Sequence, residues 1–147
     1  MTTTNDPAAA VRIDHFGFTK LVVADLDACA RFYTAVFGVR EQTRVHAQIA
    51  GRPIDEILYE ATAPGGGTFA LLRFADVPAP AHDEVILGMI TTDLAGVVAR
   101  CTAAGGSVVQ PPTAMPEHGV LVAFLSDVEG HLLEVVQLLG GGDDPHG

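Results

Sequence analysis

Asp127-Val128-Glu129-Gly130-His131-Leu132-Leu133-Glu134-Val135-Val136-Gln137 reads as a tight turn running into a strand. Asp127 brings a side chain that bonds its own backbone, and Gly130 a residue free to take positive φ. The Leu- and Val-rich run after them has the character of a largely buried strand. Glu134 interrupts it, and a carboxylate is rarely buried unless something pairs with it. What Glu134 faces is the functional question that this stretch poses.

Working outward, strands are predicted at His131 to Leu138, Gly119 to Ser126 and Ser107 to Gln110. Before them Asp93 is a good N-cap, and Leu94, Val97, Val98 and Cys101 make a helical stripe closed by Gly105-Gly106. Val85 to Thr91 reads as the strand that opens this half. The first half has the same order. Phe16 to Val23 is a strand and Asp25 an N-cap, and Leu26, Cys29, Ala30, Tyr33 and Phe37 share one helix face that stops at Gly38. Val39 to Ala50, Ile54 to Ala61 and Thr68 to Phe74 are three further strands, separated by Gly51-Arg52-Pro53 and Pro64-Gly65-Gly66-Gly67. Val22-Val23-Ala24-Asp25-Leu26 overlays Ile90-Thr91-Thr92-Asp93-Leu94, so the chain contains an internal repeat. The expected fold is α+β: two tandem βαβββ modules, at 13–76 and 85–139, forming a curved mixed sheet around a cup-shaped pocket. Residues 1–12 and 140–147 read as disordered tails, and 77–84 as a Pro-rich linker.

With 147 residues, 48% of them apolar, there is enough for one core. A formal charge of −10 argues against nucleic acid or an anionic membrane as partner and tolerates a cationic ligand. No apolar run has the length of a membrane span, and Met1 to Pro7 lacks the basic and apolar segments of a signal peptide, so a cytoplasmic protein is expected. Cys29 and Cys101 have no CxxC spacing and fall on helical stripes, as small buried hydrophobes do.

The layout resembles the vicinal oxygen chelate superfamily, which includes glyoxalase I, extradiol dioxygenases, fosfomycin-resistance enzymes and bleomycin-resistance proteins. The residues that carry the resemblance are Leu21-Val22-Val23-Ala24-Asp25-Leu26 with Ala30-Arg31-Phe32-Tyr33 and Val36-Phe37-Gly38, Asp93-Leu94 with Ala103-Ala104-Gly105-Gly106, and Phe124 to Gln137. Members with metal chemistry place one ligand on the first and one on the last strand of each half. The resemblance carries these positions onto Phe18, Leu71, Ile86 and Glu134. Glu134 is the one ligand type among them, so no metal cofactor is expected, and classical glyoxalase I activity is not either. A divalent ion would require atypical ligands such as His46, His118 and Glu134.

In that register Phe18, Lys20, Val22, Phe69, Leu71, Arg73, Ile86, Gly88, Ile90, Leu132, Glu134 and Val136 point into the cup. They make a mostly apolar pocket suited to a small organic metabolite. Lys20, the one lysine of the chain, and Glu134 form the expected catalytic pair. Glu134 would be the acid or base, and Lys20 or Arg73 would steady developing negative charge. His46 and His118 are further pocket candidates, while His15, His82 and His146 read as solvated. His131 lies three residues before Glu134 and faces the other side of the strand. The functional expectation is a pocket for a small organic metabolite with metal-independent acid–base chemistry at Glu134, and the resemblance implies the lyase or isomerase type. Alternatives are a non-catalytic antibiotic-type binding protein and a metal-dependent lyase or dioxygenase with atypical ligands. The resemblance also implies a homodimer.

Overall fold

A computed structural model describes residues 17–49, 51–76, 78 and 85–140. The tail expected at 1–12, the tail beyond Gly140, most of the 77–84 linker, and His15, His82 and His146 lie outside the described residues. The elements are β1 (Phe18–Val22), α1 (Leu26–Phe37), β2 (Glu41–Ile49), β3 (Arg52–Tyr59), β4 (Thr68–Phe74), β5 (Leu87–Ile90), α2 (Leu94–Ala103), β6 (Ser107–Met115), β7 (Val120–Ser126) and β8 (Leu132–Leu138). A 3₁₀ turn at Pro116–His118 joins β6 to β7.

Each helix starts at its expected cap. The Asp25 carboxylate accepts from the Ala28 N–H at 3.0 Å, and the Asp93 carboxylate from the Gly96 N–H at 3.0 Å. Gly38 ends α1 at φ 67°, and its N–H donates to the Thr34 carbonyl. The β6 strand runs past its expected end at Gln110 to Met115, through Pro111-Pro112. It pairs on one side only, with β7, and its register shifts between Gln110 and Thr113. An edge strand tolerates prolines because an outward-facing position needs no ladder N–H.

The strands form two four-stranded sheets, ordered β1-β4-β3-β2 and β5-β8-β7-β6. In each, the first strand is parallel to the last and the other pairs are antiparallel. The sheets share one core built from their helix-facing sides. Leu21, Leu71 and Ile57 align across the first sheet, Leu87, Leu133 and Leu125 across the second, and all six belong to that core or pack against it. Burying each such leucine contributes about 1.5–3 kcal/mol. Cys29 and Cys101 are buried in the same core with free thiols.

The join between the two halves is polar as well as apolar. The Asp127 carboxylate, 3% exposed, accepts from the Tyr33 hydroxyl on α1 at 2.9 Å and pairs with His131 Nδ1 at 2.7 Å. Its other oxygen accepts from the Glu129 and His131 backbone N–H groups. The His131 ring also bonds the Val22 backbone on β1. Glu129 accepts from the Ala24 and Asp25 N–H groups at 2.9 and 2.7 Å, just ahead of α1. Arg100 on α2 donates to the Val36 carbonyl at 3.2 Å. At Gly106 a Cβ would stand 2.8 Å from Phe32 and 2.6 Å from both Cys101 Sγ and the Ser126 carbonyl oxygen, so only glycine permits this approach of the halves.

The Asp127 hydrogen bond raises the His131 pKa against the opposing effect of burial. Burial pushes Asp127 upward, but bonds from His131 and Tyr33 outweigh it and hold the carboxyl below its usual range. A histidine raised in the folded state contributes stability that is complete below about pH 6.5 and is lost as pH rises through its folded value. Asp127 contributes above about pH 3.9, and its part is lost on acidification. Urea unfolding followed from about pH 6 to about pH 9 is expected to show stability falling in the native chain and a flatter profile in His131→Gln.

Candidate functional site

The faces turned away from the shared core are the candidate cup. Pairing places Phe18, Lys20 and Val22 of β1 beside Thr68, Ala70 and Leu72 of β4. Leu58 and Glu56 of β3 continue these rows. In the second half, Gly88, Glu134 and Phe124 share a row, as do Ile90, Val136 and Val122. Leu132, Glu134 and Val136 are half-buried on this face, and Leu133 and Val135 are buried on the other.

This register corrects part of the expected lining. Leu71 aligns with Leu21 and is fully buried in the shared core. Phe69 lies on the same side, 5.6 Å from the Tyr33 ring and stacked on Tyr59 at 4.7 Å. Arg73 and His46 align with Asp55 on that side, and both bond its carboxylate. Leu71, Arg73 and His46 are displaced by one step of the pleat, which exchanges the two faces of a strand, while Phe69 faces the core and still borders the cavities described below. The repeat shows the correct partner. The offset that carries Asp25 onto Asp93 carries Lys20 onto Gly88, so Ala70, opposite Lys20, is the counterpart of Glu134, opposite Gly88.

The open face of the first half holds a cavity of about 340 Å³ lined by Phe18, Lys20, Gln42, Glu56, Leu58, Tyr59, Thr68, Phe69 and Ala70. Its polar centre is an ion pair. Lys20 Nζ lies 2.8 Å from Glu56 Oε2 and 5.8 Å from the centre of the Phe18 ring. The Glu56 side chain is 9% exposed and that of Lys20 32%. Lys20 is therefore paired with Glu56 and not with Glu134. Glu56 was legible in principle. Asp55 and Glu56 are adjacent in a predicted strand, and alternation must turn one of them to each face. Tyr59 borders the same cavity, with burial pushing its hydroxyl up to about 12, and that hydroxyl has no hydrogen-bond partner among the described residues.

On the second half, Ile86 is 50% and Ile90 74% exposed. Glu134 has no ion pair or side-chain hydrogen bond among the described residues. His118 is exposed on the 3₁₀ turn. A larger groove of about 720 Å³ runs between the halves, lined by Phe37, Val39, Phe69 and the segment Val85 to Ile90.

The family model of the glyoxalase/bleomycin resistance protein/dioxygenase superfamily matches residues 12–135. The chain belongs to this superfamily. A glyoxalase family protein of Bacillus cereus is 18% identical, with 88% of this chain and 97% of that one covered and a TM-score of 0.76. A glyoxylase/bleomycin resistance protein/dioxygenase domain of Frankia sp. EAN1pec is 20% identical over 92% of this chain and 100% of that one, with a TM-score of 0.70. TioX of Micromonospora sp. ML1 is 28% identical over 85% and 99% of the two chains, with a TM-score of 0.62. No curated protein matches the sequence significantly.

The superfamily's metal position does not fit this donor set. The four places that the resemblance carries over, with Ala70 for Leu71 by the observed register, hold three hydrocarbon side chains and one carboxylate: Phe18, Ala70, Ile86 and Glu134. The alternative set is not assembled either. His46 is on the helix-facing side at Asp55, His118 is on the 3₁₀ turn, and Glu134 is on β8. Among the described residues no group of three or more His, Cys, Asp or Glu is placed to hold an ion.

Removing one partner of a buried pair leaves the other desolvated and unpaired. Glu56→Leu is expected to destabilise the fold by about 1–3 kcal/mol in urea unfolding, and adding Lys20→Met should recover most of that loss.

Proposed function

We propose that this superfamily member takes a small organic metabolite into its open faces and acts on it by acid–base chemistry without the superfamily's usual metal ligands. The observation that carries the reading is the composition of the four ligand positions, where Phe18, Ala70 and Ile86 leave Glu134 as the one donor. Glu134 is the proton acceptor or donor, and Lys20 supplies positive charge for an oxygen that becomes anionic. Exposed Phe18, Ile86, Ile90 and Leu138 make both faces apolar enough to receive the carbon body of a ligand.

Exposed apolar surface of this kind also favours a homodimer that brings the open face of one half against that of the other half of a second copy. Such an assembly would bring Lys20 of one protomer towards Glu134 of its partner. No described helix is long and apolar enough to cross a membrane, and the site is proposed to work in the cytoplasm on a dissolved metabolite.

The sequestering alternative uses the same faces, and −10 of formal charge favours a cationic guest for it. Turnover separates the two readings. Protein purified without chelator is expected to carry substoichiometric metal by elemental analysis. Its ligands, found by thermal shift in a metabolite library, should bind equally well after dialysis against EDTA. For a ligand that is turned over, Glu134→Gln should lower kcat at least about a hundredfold while leaving the melting temperature near that of the native chain. Unchanged kcat would remove Glu134 from the mechanism, and a stoichiometric ion would overturn the metal-free reading.

A further inference from the structure

His131 is held at both ends of its ring, once by its own turn and once by the other module. Its side chain is 7% exposed, and Nδ1 lies 2.7 Å from Asp127 Oδ2. The ring also donates to the Val22 backbone at the end of β1, and with Nδ1 on Asp127 that bond falls to Nε2. A neutral imidazole has one N–H and one lone pair, so it donates from one nitrogen only. Two acceptors therefore call for both protons and a positive ring.

The groups around the ring are otherwise acidic or neutral. Asp127 and Glu129 act on it from its own turn. From α1 come the Tyr33 hydroxyl, on Asp127, and the Cys29 thiol, on Glu129, while Asp25, the cap of that helix, gives its N–H to Glu129. From α2 comes the Cys101 thiol, 3.7 Å from the Ser126 carbonyl oxygen. Burial, and after it the nearby carboxylates, push Tyr33, Cys29 and Cys101 upward, so all three keep their protons where His131 gives one up. Among the described residues His131 is the one cation within ion-pair distance of Asp127, and Glu129 has none.

When the ring loses a proton, the remaining N–H stays on Asp127, because a buried carboxylate loses more than a carbonyl does when left without a donor. Nε2 then turns a lone pair on the Val22 carbonyl. We propose that His131 is a doubly protonated pin between the two modules, and that losing one proton in alkaline solution frees the end of β1 from the Asp127–His131 turn while each sheet stays intact. The ladders that build the sheets are backbone bonds and do not titrate. β1 carries Phe18 and Lys20, so the release reaches the open face of the first half whatever ligand that face takes.

Two measurements on the native chain test this. With isotope-labelled histidine, nuclear magnetic resonance is expected to find both His131 ring nitrogens protonated at about pH 6, and the loss of one proton with a midpoint above the value of about 6.5 for a solvated histidine. Backbone order parameters from Cα–H relaxation, which amide exchange does not disturb, should fall at Val22 to Asp25 from about 0.85 to below about 0.6 with that same midpoint. Those of β3, β7 and β8 should hold. His131→Gln, which donates to one acceptor and does not titrate, should show the low values at Val22 to Asp25 throughout. A ring that is neutral at about pH 6 would overturn the inference. So would order parameters at Val22 to Asp25 that ignore the ring's titration, or a fall shared by all the sheet strands, which is global loosening.

Discussion

One carboxylate holds the two halves of this chain in a fixed relation. Asp127 is almost fully buried and could not stay ionised there alone, since desolvation works against its charge. It remains ionised because four donors converge on it: the Tyr33 hydroxyl from the first half, the His131 ring, and two backbone N–H groups of its own turn. The same turn extends Glu129 to the start of α1 and the His131 ring to β1. A turn of the second module is thus built into the first. Its reach brings the greasy sides of both sheets into a single core and commits the opposite sides to be open.

That commitment explains why charge on the open faces is informative. On the helix-facing side, polar groups answer to packing. Cys29 bonds Glu129, and its thiol is pushed up by burial and by that carboxylate, so it is inert filler with a structural bond. On the open side of the first sheet nothing in the fold requires a lysine and a glutamate at the floor of an apolar depression. A well-packed hydrophobic pair would hold the strands together as well or better. An ion pair there costs desolvation and contributes little net stability, so packing alone does not account for it.

The architecture was legible because its signals are local and repeated. Asp25 and Asp93 as caps, the stripes behind them, and the Asp127 to Gly130 turn each specify geometry within a few residues, and the repeat lets one half check the other. The face of each strand was legible only where such a marker fixes it. On β8, Gly130 sets the count and Glu134 lies on the open face, and on β1 the Asp25 cap does the same for Lys20. β4 has no such marker. Gly65-Gly66-Gly67 ends its turn without fixing which residue enters the ladder first, and Thr-Phe-Ala-Leu-Leu-Arg-Phe is apolar on both sides. The pattern therefore leaves Leu71 and Arg73 one step from their true face, and on the long, mostly exposed β2 nothing in the sequence fixes the side of His46, which the pairing turns toward Asp55. Glu56 is hidden in the sequence because an acid on a strand beside another acid has the pattern of a solvated face, and its partner Lys20 lies 36 residues away.

The register of β4 also bears on the chemistry. A slip of one residue there would matter to the metal argument only if a carboxylate flanked Leu71, and Ala70 and Leu72, both buried on the open side, are hydrocarbon as well. In either register the β4 position that the resemblance marks is a hydrocarbon. What the correct register adds is the alignment of Ala70 with Lys20. The smallest side chain on β4 lies beside the longest on β1, and that leaves room for the ammonium to reach across to Glu56 on the next strand but one. A carboxylate in place of Ala70 would compete with Glu56 for the same cation and add a second buried charge to the depression. A hydrocarbon at that position is the condition under which a single, balanced ion pair can occupy the floor of the cup.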